Sequence, residues 1–249
     1  MVNGIDKFKD FFADYKERYV LIGGAACDII LEDSEGTFRV TKDLDLVLIV
    51  EALTPEFGKA FWQFIAAGGY RNKSKSTGNP QFYRFDKPEV TGYPFMLELF
   101  SKKAFELDES DSELTPLHFD DEVSSLSAIL LNEAYYQMLL TGRTEIDNLV
   151  VLAPAYIIPF KVKAWLDLTE KKSQGIHIEE KNIKKHKNDI VRLATILIGS
   201  ENVELPQEVR KDMERFITMY QEAPADLKSL RISGVTNEQI VERLTEIYL

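Results

Sequence analysis

The 249-residue sequence is poor in the residues that form disulfides and structural zinc sites. Cys27 is its one cysteine, which excludes an intrachain disulfide and predicts a reducing, cytoplasmic location. The three histidines are scattered along the chain, at His118, His177 and His186. A structural zinc site is therefore not expected, because neither a cysteine cluster nor a histidine pair has ligand spacing.

Long apolar runs and an excess of positive charge are also missing. No segment approaches the roughly 20 apolar residues of a membrane-spanning helix, and MVNGIDKFKDFF lacks the layout of a signal peptide, so no membrane association is predicted. The formal net charge of -11 argues against a broad nucleic-acid surface. It is compatible with a small polyanion held through metal ions, which supply positive charge.

The pattern of apolar residues predicts an α+β fold. Strands and helices mix over residues 1–152, where a mixed β-sheet with flanking helices is expected, and residues 153–249 form a helical C-terminal domain. QFYRFDK and YPFMLELFSK, separated by a turn, predict a hairpin. The other predicted strands are YVLIGG, DLDLVLIV, SSLSAILL and NLVVL.

Two glycines, Gly23 and Gly24, end the strand YVLIGG, and a helix is predicted directly after them. The first turn of a helix exposes backbone N–H groups that attract phosphate. Glycine lets a phosphate approach closely because it has no Cβ. We therefore expect Gly23 and Gly24 to bind phosphate; the alternative is a tight turn needed only for packing.

Asp43 and Asp45 lie one residue apart in the apolar strand DLDLVLIV. Side chains alternate along a strand, so both carboxylates face one side, roughly 6–7 Å apart. That separation is too long for a shared proton and suits divalent ions such as Mg²⁺. Glu98, a charge inside the strand FMLELF, is the candidate third ligand. The sequence thus predicts one or two Mg²⁺ ions, with Mn²⁺ as an alternative; solvent-facing carboxylates are the simpler interpretation.

The stretch IGGAACDIIL followed by RVTKDLDLVLIV resembles the signature of the nucleotidyltransferase superfamily, which has a polymerase-β-like fold. It is most similar to bacterial minimal nucleotidyltransferases of the abortive-infection toxin type, over about residues 15–195. The resemblance implies a nucleotidyltransferase core and metal-dependent transfer of a nucleoside monophosphate from an NTP to a hydroxyl acceptor.

The same resemblance suggests further site residues. Arg39 and Lys42, just before the paired aspartates, are expected to bind the nucleotide. Lys161 in IIPFKVKAWLDL is the expected catalytic lysine, with Lys163 as its rival, and Asp189 matches a downstream aspartate. Glu98 is also a candidate general base. Arg84 in QFYRF is considered as a cleft-facing residue and is not included in the predicted site.

The identity of the NTP and of the acceptor stays open. A small hydroxylated molecule, an RNA 3′ end and a protein side chain are the acceptors considered. The acidic balance favours a small cationic molecule, and a lysine run favours RNA: Lys181, Lys184, Lys185 and Lys187. The alternative function is a nucleotide-binding toxin–antitoxin or regulatory component that acts through an antitoxin-like protein partner.

Overall fold

The computed structural model describes residues 3–33, 43–75, 82–102, 115–116, 129–130, 132–201 and 203–249. The chain divides into two compact units. The first comprises Met1–Phe119 and Arg143–Leu152, and the second Asp120–Gly142 and Ala153–Leu249. The segment Asp120–Gly142 thus groups with the helical C-terminal part, whereas the sequence suggested a single boundary after residue 152.

The first unit contains a mixed sheet with eight strands among the described residues. The strands are β1 Tyr19–Ile22, β2 Asp43–Leu48, β3 Tyr70–Lys75, β4 Phe82–Pro88, β5 Met96–Phe100, β6 Thr115–Pro116, β7 Arg143–Ile146 and β8 Leu149–Leu152. Their order is β6-β3-β4-β5-β2-β1-β8-β7, with β2–β5, β1–β8 and β3–β6 parallel and the other neighbours antiparallel. The predicted α+β class is confirmed.

In the described part of this unit, three α-helices accompany the sheet: α1 Ile5–Phe11, α2 Gly23–Asp33 and α3 Pro55–Gly68. Short 3₁₀ helices follow α1 at Ala13–Arg18 and β2 at Val50–Ala52. The stretch TPEFGKAFWQFIAAGG predicts a helix that Thr54 caps and Gly68-Gly69 ends. The structure agrees, because the Thr54 hydroxyl accepts from the Phe57 N–H at 3.4 Å and Gly69 ends α3 at φ 62°.

An aromatic layer covers one face of the sheet. The ring of Phe8 lies 5.2 Å from that of Tyr19, and the ring of Phe61 lies 5.4 Å from that of Phe85. Tyr19 is in register with Leu48 on β2. Phe85 is in register with Leu97 on β5, and Leu97 is in register with Leu44 on β2. The aromatic layer therefore buries the leucine side of β2, which leaves the aspartate side on the opposite face.

The second unit is helical in its described residues. Its helices are α4 Glu133–Thr141, α5 Pro154–Ser173, α6 Glu180–Ile196, α7 Gln207–Glu222 and α8 Asn237–Tyr248. Trp165 of α5 packs edge-on against Phe216 of α7 with ring centroids 5.3 Å apart, and the Tyr248 hydroxyl donates to the Ala155 carbonyl at 2.6 Å. No helix of the described chain is both long and apolar enough to cross a membrane.

The structure departs from the sequence prediction at several elements. Strands β3 and β7 were not predicted, because YRNKSK and RTEI are polar and owe their strand form to sheet pairing. The strand predicted for SSLSAILL is wrong where the structure describes it: Ile129 and Leu130 are helical, and a short apolar run fits either form. The stretch EEKNIKKHKNDIVRLATILIG predicts a helix that ends at Gly199, whereas in the structure this helix ends at Ile196.

The N-terminus of α8 generates a stability prediction. The Thr236 hydroxyl accepts from the Gln239 N–H, and the Gln239 side chain accepts from the Thr236 N–H at 2.9 Å, a reciprocal capping box. We expect Thr236→Ala to lower the unfolding free energy by about 1 kcal/mol in urea denaturation. Thr245→Ala, at an exposed site inside α8, is the control and should change it by less than about 0.5 kcal/mol. Equal losses would contradict the capping role.

Candidate functional site

A row of polar side chains crosses the middle of the sheet on the face opposite the aromatic layer. Asp45 on β2 is in register with Ile22 on β1 and with Glu98 on β5, and Glu98 is in register with Arg84 on β4. Residues in register share a face of the sheet, so Asp45, Glu98 and Arg84 project together. Asp43, two residues before Asp45, projects to the same side. The structure thus places all three predicted carboxylates on one face.

Glu98 is the most buried member of this row, with 7% of its surface exposed. The Arg84 Nε donates to Glu98 Oε1 at 2.6 Å, and Arg84 Nη2 forms an ion pair with the same oxygen. Burial raises the pKa of Glu98 to about 8, and the negative charge of Asp45 adds to that rise. Arg84 opposes the rise, while a hydrogen bond with Asp45 favours the protonated carboxyl.

Gly23 explains how a carboxylate fits where β1 passes into α2. It has φ 68°, and a Cβ at this position would overlap Asp45 Oδ2 and lie 2.9 Å from Asp45 Cγ. Both the left-handed backbone and the close approach require glycine in this arrangement. The Asp45 carboxylate therefore packs against the first residue of α2, where the positive end of a helix dipole favours an anion. The phosphate-binding roles of Gly23 and Gly24 stay predictions.

The donor set has the chemistry that a magnesium ion prefers. Mg²⁺ binds through one or two carboxylates, with water and substrate phosphate completing its shell, and the adjacent Asp45 and Glu98 offer such a pair. In the part of the chain that the structure describes, no three His, Cys, Asp or Glu side chains form a group that could hold a metal ion. The metal site made by Asp43, Asp45 and Glu98 together therefore stays a prediction, as does the choice between Mg²⁺ and Mn²⁺.

Two predicted nucleotide-binding residues, Arg39 and Lys42, lie outside the described residues. Their roles stay predictions from the sequence.

Lys161 and Lys163 have different surroundings in the second unit. Lys161 Nζ lies 2.8 Å from Asp189 Oδ2, and both side chains are almost fully buried, at 8% and 2% exposed. Lys163 is more open and forms ion pairs with Asp212 at 3.3 Å and Asp167 at 3.6 Å. The structure therefore pairs the two α5–α6 residues that the family resemblance selected. The catalytic role of Lys161 stays a prediction.

The lysine run on α6 is partly engaged with acceptors of its own chain. Lys181 Nζ lies 2.5 Å from Glu179 Oε2, and Lys187 Nζ donates to the Ala223 carbonyl at 3.2 Å. Burial and the neighbouring charge of Lys184 lower the pKa of Lys187. Two of the four lysines of the run thus already contact acceptors within the chain, and the proposed contact of the run with RNA stays a prediction.

Arg84 is the residue of this site that sequence reasoning left out. The signal was present in the predicted hairpin, since pairing QFYRF with MLELF places Arg84 opposite Glu98. The register could not be fixed from the sequence because the connection between the strands is too long to define one turn type.

Comparison with known proteins does not define a family. No family model matches the chain, and no curated protein matches it. One of the similar solved structures is the crystal structure of the Megavirus polyadenylate synthase, with a TM-score of 0.42 and 12% identity over 88% of this chain. The chain spans 36% of the length of that protein chain. A likeness this distant carries no argument about activity, which has to be inferred from the side chains of the site.

The packing of Asp45 on Gly23 predicts an unusually costly substitution. Gly23→Ala should force the Asp45 carboxylate away as well as strain the backbone. Gly175→Ala is the matched control, because Gly175 has φ 84° and no atom within 4 Å of the place that a Cβ would occupy. We expect Gly175→Ala to cost about 1–2 kcal/mol of unfolding free energy. Gly23→Ala should cost about 1–3 kcal/mol more in urea denaturation. Equal costs would show that Asp45 does not depend on the missing Cβ.

The raised pKa of Glu98 predicts a pH-dependent stability difference. The folded protein keeps the Glu98 proton up to about pH 8, whereas an ordinary glutamate loses it near 4.5. This contribution to stability is therefore complete below about pH 4.5 and is lost as the pH rises through 8. Relative to Glu98→Gln, the wild type should lose unfolding free energy between pH 5 and 8.5 in urea titrations with EDTA. The exposed Glu89→Gln is the control; a difference independent of pH would refute the shift.

Proposed function

We propose that the protein is a metal-dependent nucleotidyltransferase, which moves a nucleoside monophosphate from an NTP to a hydroxyl acceptor. The observation that carries the proposal is the adjacent pair of Asp45 and Glu98 on parallel strands, with Asp45 packed against Gly23 at the start of α2. A fold that needed only stability would gain little from two carboxylates in contact in a partly buried site. Their position suits a cation that bridges them to an anionic substrate.

The proposed reaction is an in-line displacement at the α-phosphorus. The acceptor oxygen forms a bond to that phosphorus, the bond to the bridging oxygen of the β-phosphate breaks, and pyrophosphate leaves. When bound, Mg²⁺ or Mn²⁺ would supply positive charge for the attacking and leaving oxygens. Asp43, Asp45 and Glu98 would hold the ion. The resemblance also permits Glu98 to accept the hydroxyl proton as a general base.

The finer assignments rest on the sequence resemblance. Arg39, Lys42 and the backbone N–H groups of Gly23 and Gly24 would hold the triphosphate, and Lys161 would act in catalysis. The proposed relation to the abortive-infection toxins has the same basis. Each of these roles calls for its own variant once the nucleotide donor is known.

We favour a small cationic acceptor over an RNA 3′ end. The net charge of -11 attracts cations and repels a phosphate backbone. In addition, Lys181 and Lys187, half of the lysine run that would contact RNA, already contact acceptors of the protein itself.

The first test is nucleotide binding followed by transfer. Thermal unfolding of the wild type with Mg²⁺ or Mn²⁺ and each of the four NTPs should show a metal-dependent rise in Tm with at least one NTP, because a ligand that binds the folded state stabilises it. That NTP, labelled at the α-phosphate, then serves for transfer to candidate acceptors.

Two variants make this experiment specific. Asp45→Asn keeps the size of the side chain and removes a charge that the ion needs, so the rise in Tm should disappear. Asp147→Asn, at a largely exposed turn position on the same unit, should keep it. A rise that survives in Asp45→Asn, or no rise in the wild type with any NTP, would contradict the proposed function.

A further inference from the structure

Arg84 holds a position that the proposed carboxylate site does not account for, and an inference about it rests on the proposed function. Its guanidinium reaches Glu98 from the strand opposite to the one that carries Asp45. Two of its nitrogens, Nε and Nη2, converge on one carboxylate oxygen, Glu98 Oε1. Glu98 thus lies between a cation on β4 and an anion on β2.

The arginine offsets a repulsion that the strands impose. Asp45 and Glu98 are held side by side by their register, and once Glu98 is ionised the positive charge of Arg84 reduces the cost of that contact. A divalent ion bound to the same carboxylates would reduce their repulsion more than Arg84 does, because it carries twice the charge of a guanidinium. Such an ion would therefore compete with the guanidinium for Glu98.

The side chain of Arg84 is also more open than its partner. Its side chain is 19% exposed and that of Glu98 is 9% exposed, so the arginine lies toward the open side of the carboxylate face. A guanidinium presents several N–H donors in a plane, which suits the paired oxygens of a phosphate as well as those of a carboxylate. An arginine displaced from Glu98 by a metal ion would find such oxygens on the polyphosphate that the ion accompanies.

We propose that Arg84 is a substrate-binding residue that pairs with Glu98 in the resting protein and contacts the polyphosphate of the nucleotide once a metal ion engages Glu98. The arginine would then keep the carboxylate pair in place before binding and add a direct contact to the substrate after it.

The test uses inorganic tripolyphosphate, which removes the identity of the base from the experiment. Binding of Mn²⁺ alone is measured by the paramagnetic resonance of the free ion, and binding of tripolyphosphate in the presence of Mn²⁺ by calorimetry. The proteins are the wild type, Arg84→Met, Arg84→Lys and the control Arg143→Met, which removes an exposed arginine from β7 of the same unit.

Arg84→Met should weaken tripolyphosphate binding by about tenfold to a hundredfold, the usual effect of losing a charged hydrogen-bond pair. Arg84→Lys should recover part of this loss, because it keeps the charge without the planar donors. The affinity for Mn²⁺ alone should stay unchanged or increase in Arg84→Met, since a competing cation is gone. Arg143→Met should match the wild type in both measurements.

Other outcomes overturn the inference. If Arg84→Met weakens Mn²⁺ binding and tripolyphosphate binding in the same proportion, Arg84 acts only by positioning Glu98. If tripolyphosphate binds the wild type and Arg84→Met equally, Arg84 does not contact it. Both results leave the proposed function intact, whereas a wild type that binds neither Mn²⁺–tripolyphosphate nor any NTP refutes the function and the inference together.

Loss of folding is controlled separately. Circular dichroism and thermal unfolding establish whether Arg84→Met is folded, since it leaves a buried carboxylate without its cation. If it does not fold, Arg84→Lys carries the test, with an expected several-fold loss of tripolyphosphate affinity and no loss of Mn²⁺ affinity. An Arg84→Lys protein that binds tripolyphosphate as the wild type does would then overturn the inference.

Discussion

The contact between two carboxylates in the middle of the sheet is the constraint on which the rest of the site depends. Asp45 and Glu98 are neighbours because β2 and β5 pair in parallel in a fixed register. A shift of one residue in either strand would turn one carboxylate into the leucine layer on the other face. Two neighbours stabilise the pair in this position. Arg84 supplies a positive charge beside Glu98, and Gly23 leaves room for Asp45 beside the start of α2.

The opposite face of the sheet fixes that register. Leu44, Leu46 and Leu48 are buried, and rings from α1 and α3 pack over β1 and β4 on the same face of the sheet. Because exposing this layer would be costly, the alternation of leucine and aspartate along β2 has one stable orientation. The apolar face thus determines where the carboxylates project, and stability and the proposed chemistry are built from the same six residues of β2.

The sequence predicted these features where the information was local. The alternation in DLDLVL placed Asp43 and Asp45 on one face, and the glycines after YVLI marked the start of α2. Pairing information is non-local, so β3 and β7, whose polar sequences resemble loops, were missed. For the same reason the Arg84–Glu98 pair was not predicted, because it depends on the register of the hairpin. The buried pair of Lys161 and Asp189 was reached through family resemblance, because nothing local distinguishes Lys161 from Lys163.

The most direct measurement of the central claim is anomalous diffraction from crystals grown with Mn²⁺ and a non-hydrolysable NTP analogue. The account predicts an anomalous peak within about 2.0–2.3 Å of carboxylate oxygens from both Asp45 and Glu98, with phosphate oxygens of the analogue on the same ion. A Mn²⁺ peak elsewhere on the chain, with Glu98 still bound only to Arg84 and Asp45, would contradict it.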